Sequence, residues 1–148
     1  MAIVPLTEAN LAELARLTLQ LWPACQYEEG YRNSEQLLRS PKDAVFLGKT
    51  PAGEYVAFIM LSLRYEFVEG TDSSPVGYVE GIYVAPGHRR AGVARRLVEA
   101  GEAWCREQGC TEMASDAEIE NVDSQAFHER LGFEEANRVV CYRKGLEG

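Results

Sequence analysis

Apolar residues recur at two different periods along the chain, and the period changes at turn residues. Where they recur every three or four positions, as in the leucines that precede Pro23, the pattern is typical of a helix with one buried face. This spacing predicts helices over residues 7–22, 34–40, 93–108 and 121–131. The polar and aromatic stretch from Cys25 to Asn33 lacks that period and predicts a loop.

Shorter apolar runs, bounded by Gly, Pro, Ser and Asp, are typical of strands. They predict strands over residues 2–5, 44–49, 54–67, 77–84, 111–116 and 137–143. No repeat or linker interrupts the order of elements, which therefore predicts an α/β fold with one mixed sheet and helices on both faces. With 148 residues, the chain is expected to form a single domain over residues 1–148.

Composition narrows the class of protein. Apolar residues make up 46% and charged residues 26%, as in ordinary globular proteins. The longest apolar runs are too short to span a bilayer and the first residues have no basic signal-peptide segment, so a cytoplasmic location is expected. The net charge of −8 argues against nucleic acid and anionic membranes as partners, and it is compatible with a cationic substrate.

The cysteines and histidines form no recognisable metal or catalytic set. The four cysteines are Cys25, Cys105, Cys110 and Cys141, and their spacing suits neither a zinc site nor a disulfide framework. We interpret them as reduced, partly buried thiols, and we interpret His88 as a loop residue and His128 as a helix surface residue. A catalytic pairing of a cysteine with either histidine stays open, although no spacing supports it.

A basic loop that contains glycine joins the strand over 77–84 to the helix that follows. Its sequence is Arg89-Arg90-Ala91-Gly92-Val93-Ala94. Free N–H groups at a helix N-terminus attract a phosphate or pyrophosphate, Gly92 lets the backbone approach closely, and the arginines add positive charge. The pattern matches neither a P-loop nor a dinucleotide-binding fingerprint, and an ordinary capped turn is the alternative to an anion site.

The spacing Arg89-x-x-Gly92-x-Ala94 resembles the acetyl-CoA loop of the GNAT N-acetyltransferase superfamily. Asn121, followed by a helix that closes in Leu131-Gly132-Phe133-Glu134, resembles the second half of that cofactor site. Five further blocks between residues 21 and 144 resemble aminoglycoside 6'-N-acetyltransferases of the GNAT type. They are Leu21-Trp22-Pro23, Asp72-Ser73-Ser74-Pro75, Glu80-Gly81-Ile82-Tyr83-Val84, Glu112-Met113-Ala114-Ser115-Asp116 and Tyr142-Arg143-Lys144.

This resemblance implies the GNAT fold, acetyl transfer from acetyl-CoA to the 6'-amine of an aminoglycoside, and resistance to that class of antibiotic. It also implies a homodimer that pairs through the C-terminal sheets, without a metal. A GNAT enzyme for another amine (a polyamine, a small metabolite or a peptide N-terminus) is one alternative. A CoA-binding module without catalysis is another, although cleft acids argue against it.

For the cofactor, the resemblance implies that the loop from Arg89 to Ala94 holds the pyrophosphate. It implies that the backbone of Ile82, Tyr83 and Val84 pairs with the pantetheine arm. Asn121 is either the N-cap of its helix or a hydrogen-bond partner of that arm. Tyr142 is either a packing residue of the last strand or the acid that protonates the leaving thiolate.

Two acids are candidates for work on the acceptor amine. By strict alternation, Glu80 shares a face with Ile82 and Val84; it either forms a salt bridge with an arginine or lines the cleft and takes a proton from the substrate ammonium. Asp116 ends its strand and either caps a turn or binds the substrate. Together with the resemblance, these considerations predict a substrate side that comprises Trp22, Phe67, Asp72, Glu80, Asp116 and Asn137. At Phe67 and Asn137 the chain departs from the residues that are common in similar enzymes.

Overall fold

The computed structural model describes every residue from Met1 to Gly148. Its elements are β1 (Ala2–Pro5), α1 (Leu11–Leu21), α2 (Tyr27–Arg39), β2 (Asp43–Lys49), β3 (Tyr55–Arg64), β4 (Val76–Val84), α3 (Val93–Glu107), β5 (Met113–Ala114) and α4 (Val122–Arg130). The strands form one sheet in the order β1-β2-β3-β4-β5, antiparallel throughout except for the parallel β4–β5 pair. The predicted mixed α/β sheet is confirmed.

Helices cover both faces of this sheet. On one face α3 packs against a core that includes Ile59, Leu61 and Leu97. On the other face α1 packs against a core that includes Leu14 and Phe58, with α2 at its edge. The sequence therefore folds around two apolar layers, one on each side of the sheet.

The predicted loop over residues 25–33 is wrong, because α2 already begins at Tyr27. Glu28 and Glu29 lie in its first turn, where the helix dipole favours negative charge. The buried residues of α2 are Gly30 and Ser34, and the Ser34 hydroxyl donates to the Gly30 carbonyl at 2.8 Å. Since these positions are small rather than apolar, no apolar period revealed the helix.

A β-bulge interrupts β4 at Glu80. Met60 pairs with Gly81 and Leu61 pairs with Val79, so Glu80 has no partner on β3. Because of the extra residue, Val79, Ile82 and Val84 all pack on the α3 side. The expectation that Glu80 shares a face with Ile82 and Val84 is therefore wrong: Glu80 projects from the opposite face of the sheet.

The pairing of β4 with β5 is short. It ends at Tyr78 and Ala114, and the rest of β4 has an open edge on that side. The predicted strand over 111–116 is thus reduced to two paired residues.

The predicted strand over 137–143 does not form. Residues 134–148 are exposed throughout and belong to no strand. Ala136 lies against Gly70, and Asn137 donates to the Glu69 carboxylate, so the start of this segment contacts the loop between β3 and β4. A strand requires a neighbour for its backbone hydrogen bonds, and this segment finds none in a single copy of the chain.

Candidate functional site

The loop before α3 presents a row of free backbone donors. Arg90 and Gly92, two positions apart, both have positive φ, 65° and 80°. No backbone N–H from Arg89 to Arg95 donates to an acceptor within the protein. Successive N–H groups around left-handed residues form a concave anion site, and here they continue into the first turn of a helix. The geometry therefore suits a phosphate or pyrophosphate.

The arginines of this loop have different surroundings. The Arg89 Nε–H donates to the Val84 carbonyl at 2.7 Å and ties the loop to the end of β4. Arg95 donates to the Arg130 carbonyl at 2.8 Å, which fixes α3 to the end of α4. Arg90 is exposed, and no atom lies within 4 Å of the position that a side chain at Gly92 would take.

Asn121 caps α4. Its side-chain oxygen accepts from the Ser124 N–H at 3.0 Å, which confirms the N-cap interpretation. The side-chain NH₂ of Asn121 donates to no residue of the chain. The contact with a pantetheine arm stays a prediction, as does that of Ile82, Tyr83 and Val84, which lie along the open edge of β4.

Glu80 forms an ion pair with Arg64 of β3, which confirms the salt-bridge interpretation. The Arg64 Nη2 lies 2.9 Å from the Glu80 Oε1, and the Ser62 hydroxyl also donates to this carboxylate. The side chains are 44% and 32% exposed, so solvent still reaches the acid. A salt bridge and a role at the substrate are therefore compatible.

Asp116 lies on the same face of the sheet and accepts from the Tyr78 hydroxyl rather than from a backbone N–H. Burial and this hydrogen bond raise the pKa of Tyr78 well above its usual value, so its hydroxyl stays a donor. No cationic side chain pairs with Asp116 in the chain. Of the two acids Glu80 and Asp116, Asp116 is therefore the one whose carboxylate has no positively charged partner.

Trp22 forms an aromatic wall beside these acids. Its ring lies so close to Gly81 that a side-chain carbon there would approach it to 2.7 Å. The ring centroid is also 6.2 Å from that of Phe58, yet the residue is 38% exposed. Since Gly81 follows Glu80 at the bulge, the structure brings Trp22 to the candidate acceptor site.

The remaining substrate-side candidates lie around the loop between β3 and β4. Phe67 is almost fully exposed, and the Asp72 N–H donates to the Glu112 Oε1 at 2.9 Å. Asn137 contacts this loop through the hydrogen bond that its side chain donates to the Glu69 carboxylate. Tyr142 is different: it is 90% exposed, hydrogen-bonds to nothing in the chain, and is not brought to either acid.

Sequence reasoning did not name Arg64 or Tyr78. A signal for Arg64 was present, since Ser62 and Arg64 alternate with Leu61 and Leu63 along β3 and so share the face opposite the α3 core. No pattern in the sequence distinguished Tyr78 from the apolar residues of its strand.

The interpretation of His128 as a surface residue is wrong. It is half-buried, with its Nε2 2.8 Å from the Ser115 Oγ and its Nδ1 2.7 Å from the Ser124 carbonyl. A carbonyl only accepts, so the Nδ1 carries a proton and donates to the Ser124 carbonyl. Neither histidine pairs with a cysteine. All four cysteines are free thiols, but partial burial is wrong for Cys25 and Cys141, which are exposed. Cys105 and Cys110 are buried, and burial raises the pKa of Cys105 to about 12.

The structure contains neither a cluster of metal-binding side chains nor a helix that could span a membrane. No group of three or more His, Cys, Asp and Glu side chains is arranged to hold a metal ion. Among the helices, none is both long enough and apolar enough to cross a membrane.

Comparison with known proteins points to one family. The model of the acetyltransferase (GNAT) family matches residues 9–133. An aminoglycoside N(6')-acetyltransferase type 1 from Serratia marcescens is 44% identical over 137 residues, which cover 93% of this chain and 94% of the relative. The enzyme of the same name from Acinetobacter haemolyticus is 40% identical and covers 99% of this chain and 100% of its own length.

Solved structures agree. AAC(6')-Iy in complex with the bisubstrate analogue CoA-S-monomethyl-acetylneamine superimposes with a TM-score of 0.93 at 39% identity, covering 97% of each chain. The aminoglycoside antibiotic 6'-N-acetyltransferase AAC(6')-Ih from Acinetobacter baumannii superimposes with a TM-score of 0.94 at 38% identity, covering 99% of each chain. The resemblance seen in the sequence is confirmed: the chain belongs to the acetyltransferase (GNAT) family.

Proposed function

We propose that this protein is an aminoglycoside 6'-N-acetyltransferase that takes its acetyl group from acetyl-CoA and thereby confers resistance. The observation that carries the proposal is the position of the open β4 edge, with the N–H donors of residues 89–95 at one end and the acids at the other. An acyl carrier with a diphosphate and a cationic acceptor would meet along this edge. The near full-length relatives bear that activity in their names.

On the cofactor side, acetyl-CoA would supply the activated acetyl thioester. The N–H groups from Arg89 to Arg95 would hold its pyrophosphate, with Arg90 free to add charge. The open edge of β4 over Ile82, Tyr83 and Val84 would align the pantetheine arm, and the Asn121 side-chain NH₂ would donate to it. A backbone N–H of this edge would also polarise the reacting carbonyl.

On the acceptor side, Glu80 and Asp116 would attract the ammonium groups of an aminoglycoside. An ammonium has no lone pair, so a group in the site must remove a proton before the nitrogen can react. Glu80, which solvent reaches, would take that proton directly or through water. Trp22 would contact the sugar ring, and Phe67, Asp72 and Asn137 would line the outer part of the site.

Three further assignments belong to the same proposal. The chain acts as a single domain in the cytoplasm, and it pairs as a homodimer through residues 134–148. The exposed apolar side chains of that segment, which include Val139 and Val140, support such pairing. Tyr142 is assigned as the acid for the leaving thiolate on the resemblance alone.

The deciding experiment is an acetylation assay read by CoA release. The purified chain is given acetyl-CoA and a panel of aminoglycosides with and without a 6'-amine, together with polyamines and peptides with a free N-terminus. We expect release only with aminoglycosides that carry the 6'-amine. Release with polyamines or peptides alone would assign the GNAT chemistry to another amine, and binding of acetyl-CoA without any release would indicate a non-catalytic module.

A further inference from the structure

We propose that Arg64 is a positioning residue that holds Glu80 and, through Tyr78, Asp116, so that the two acids face the acceptor as one rigid unit. This inference rests on the proposed function, because it concerns the acids assigned there to the aminoglycoside. We call the group of Ser62, Arg64, Tyr78, Glu80 and Asp116 the carboxylate clamp.

The first half of the clamp fixes Glu80. The Arg64 Nη2 donates to both carboxylate oxygens, at 2.9 and 3.0 Å, and its Nε donates to the Oε2 at 3.2 Å. Ser62 donates to the same oxygen from the same strand. A guanidinium and a carboxylate are both planar, so several hydrogen bonds between them restrict rotation as well as distance. The direction in which Glu80 presents its remaining lone pairs is therefore set by Arg64.

The second half of the clamp joins Arg64 to Asp116. The guanidinium carbon lies 3.5 Å from the centroid of the Tyr78 ring, a close cation–π contact. Tyr78 is buried, and its hydroxyl donates to the Asp116 Oδ2. The Tyr78 ring thus contacts the Arg64 guanidinium with one face, and its hydroxyl binds Asp116. A shift of Arg64 would disturb both carboxylates.

The bulge in β4 makes this arrangement possible. Without the extra residue at Glu80, alternation would turn this side chain toward the α3 core instead of toward Arg64 and Tyr78. Tyr78 is also the last residue of β4 that pairs with β5. The clamp therefore lies where the two strands separate, beside the open edge that the proposed function assigns to the acetyl donor.

Stability alone does not explain the clamp, and the chain offers a matched control. Arg16 and Glu13 on α1 form an ion pair at the same 2.9 Å, with side chains 45% and 40% exposed. Arg16 also makes three hydrogen bonds, two to Glu13 and one to the Tyr55 carbonyl. Partly exposed pairs of this kind contribute little to folding. Arg64→Gln and Arg16→Gln should therefore lower the urea midpoint by similar amounts.

The test compares Arg64→Gln, Arg16→Gln, Glu80→Gln and the double variant Arg64→Gln/Glu80→Gln. We expect Arg64→Gln to lower kcat for an aminoglycoside such as neamine by roughly tenfold or more, as loss of orientation does, with an unchanged KM for acetyl-CoA. Arg16→Gln should retain wild-type kinetics. The double variant should lose clearly less than the product of the two single losses, since Arg64 acts in part through that acid. Arg64→Lys keeps the charge but loses the planar fork, and should restore only part of the rate.

Binding gives a second measurement that does not depend on turnover. In calorimetric titration with neamine, Arg64→Gln should change the binding enthalpy whereas Arg16→Gln should not. Kinetics of Arg64→Gln that match those of Arg16→Gln, or a double variant whose loss is the product of the single losses, would overturn the clamp. Failure of the proposed function looks different, because the wild-type chain itself would then release no CoA with any aminoglycoside.

Discussion

Gly92 is the residue on which the proposed cofactor side of the site depends most directly. Its φ of 80° and the absence of any atom near its missing side chain leave the backbone open to an anion. Gly92→Asp would place a negative charge at that point while keeping a residue type that tolerates this conformation and caps helices well. We expect the KM for acetyl-CoA to rise by roughly tenfold or more, because one unit charge close to a phosphate costs over a kilocalorie per mole.

Gly109 provides the control for this prediction. It has a φ of 86°, lies just past the other end of α3, and also has open space where a side chain would be. Gly109→Asp therefore introduces the same charge and the same backbone cost away from the loop. An equal rise in KM for both variants would show that the effect arises from net charge or strain, and the assignment of the pyrophosphate to this loop would fail.

Among single residues, the sequence predicted the geometry of those that lie together in one local segment. Arg89 to Ala94 form one contiguous loop, so the donor pattern could be inferred without knowing the rest of the fold. The clamp could not be inferred in this way, because Arg64 lies in β3, Tyr78 in β4 and Asp116 in the segment after β5, and they meet only in the folded chain. The arginine partner of Glu80 was expected as a type of residue, but its position depended on the strand register.

At the scale of elements, α3 packs on the sheet through positions that accept no additional atom. A side-chain carbon at Gly77 of β4 would lie 2.1 Å from the Cys105 Sγ on α3. Gly77→Ala would therefore push the helix away from β4 or force Cys105 from its position. We expect the free energy of unfolding to fall by about 1–3 kcal/mol, the usual cost of overpacking a core, when it is measured by urea denaturation.

A comparison with Gly87→Ala separates overpacking from the general effect of replacing glycine. Gly87 has no atom within 4 Å of the position of a side chain, and its φ is not positive. That variant should change the free energy of unfolding by less than about 0.5 kcal/mol. If Gly77→Ala is equally mild, α3 adjusts freely, and the close contact with β4 does not determine where the loop before α3 lies.

Elements with a clear apolar period were predicted well. Features that depend on small buried residues or on strand register were not. The strands β1 to β4 agree with their apolar runs to within a few residues. The predicted range of α2 was too short because the buried positions of this helix are Gly30 and Ser34, which are not apolar. The bulge at Glu80 was missed because an extra residue leaves no trace in the apolar pattern, although it decides the face on which the acid lies.

At the scale of the whole molecule, the segment after Phe133 is the part that a single chain does not explain. Its apolar side chains are exposed, with Val140 at 75% and Leu146 at 89%, and its pattern is nevertheless that of a strand. The apolar pattern predicts a tendency to pair but not the partner. We therefore expect the segment to pair with a second copy, so that the protein sediments as a dimer at micromolar concentration.

Two substitutions of the same kind test this expectation. Val140→Asp and Ile119→Asp each replace an exposed apolar side chain, 75% and 59% exposed, by a charge outside every helix and strand. Burying an unpaired carboxylate in an interface is costly, so Val140→Asp should shift the protein toward monomer in analytical ultracentrifugation. Ile119→Asp should leave the dimer unchanged. A chain that ends at Phe133 should be monomeric yet folded, because no residue from 134 to 148 belongs to the buried core. A truncated chain that still sediments as a dimer would place the interface elsewhere.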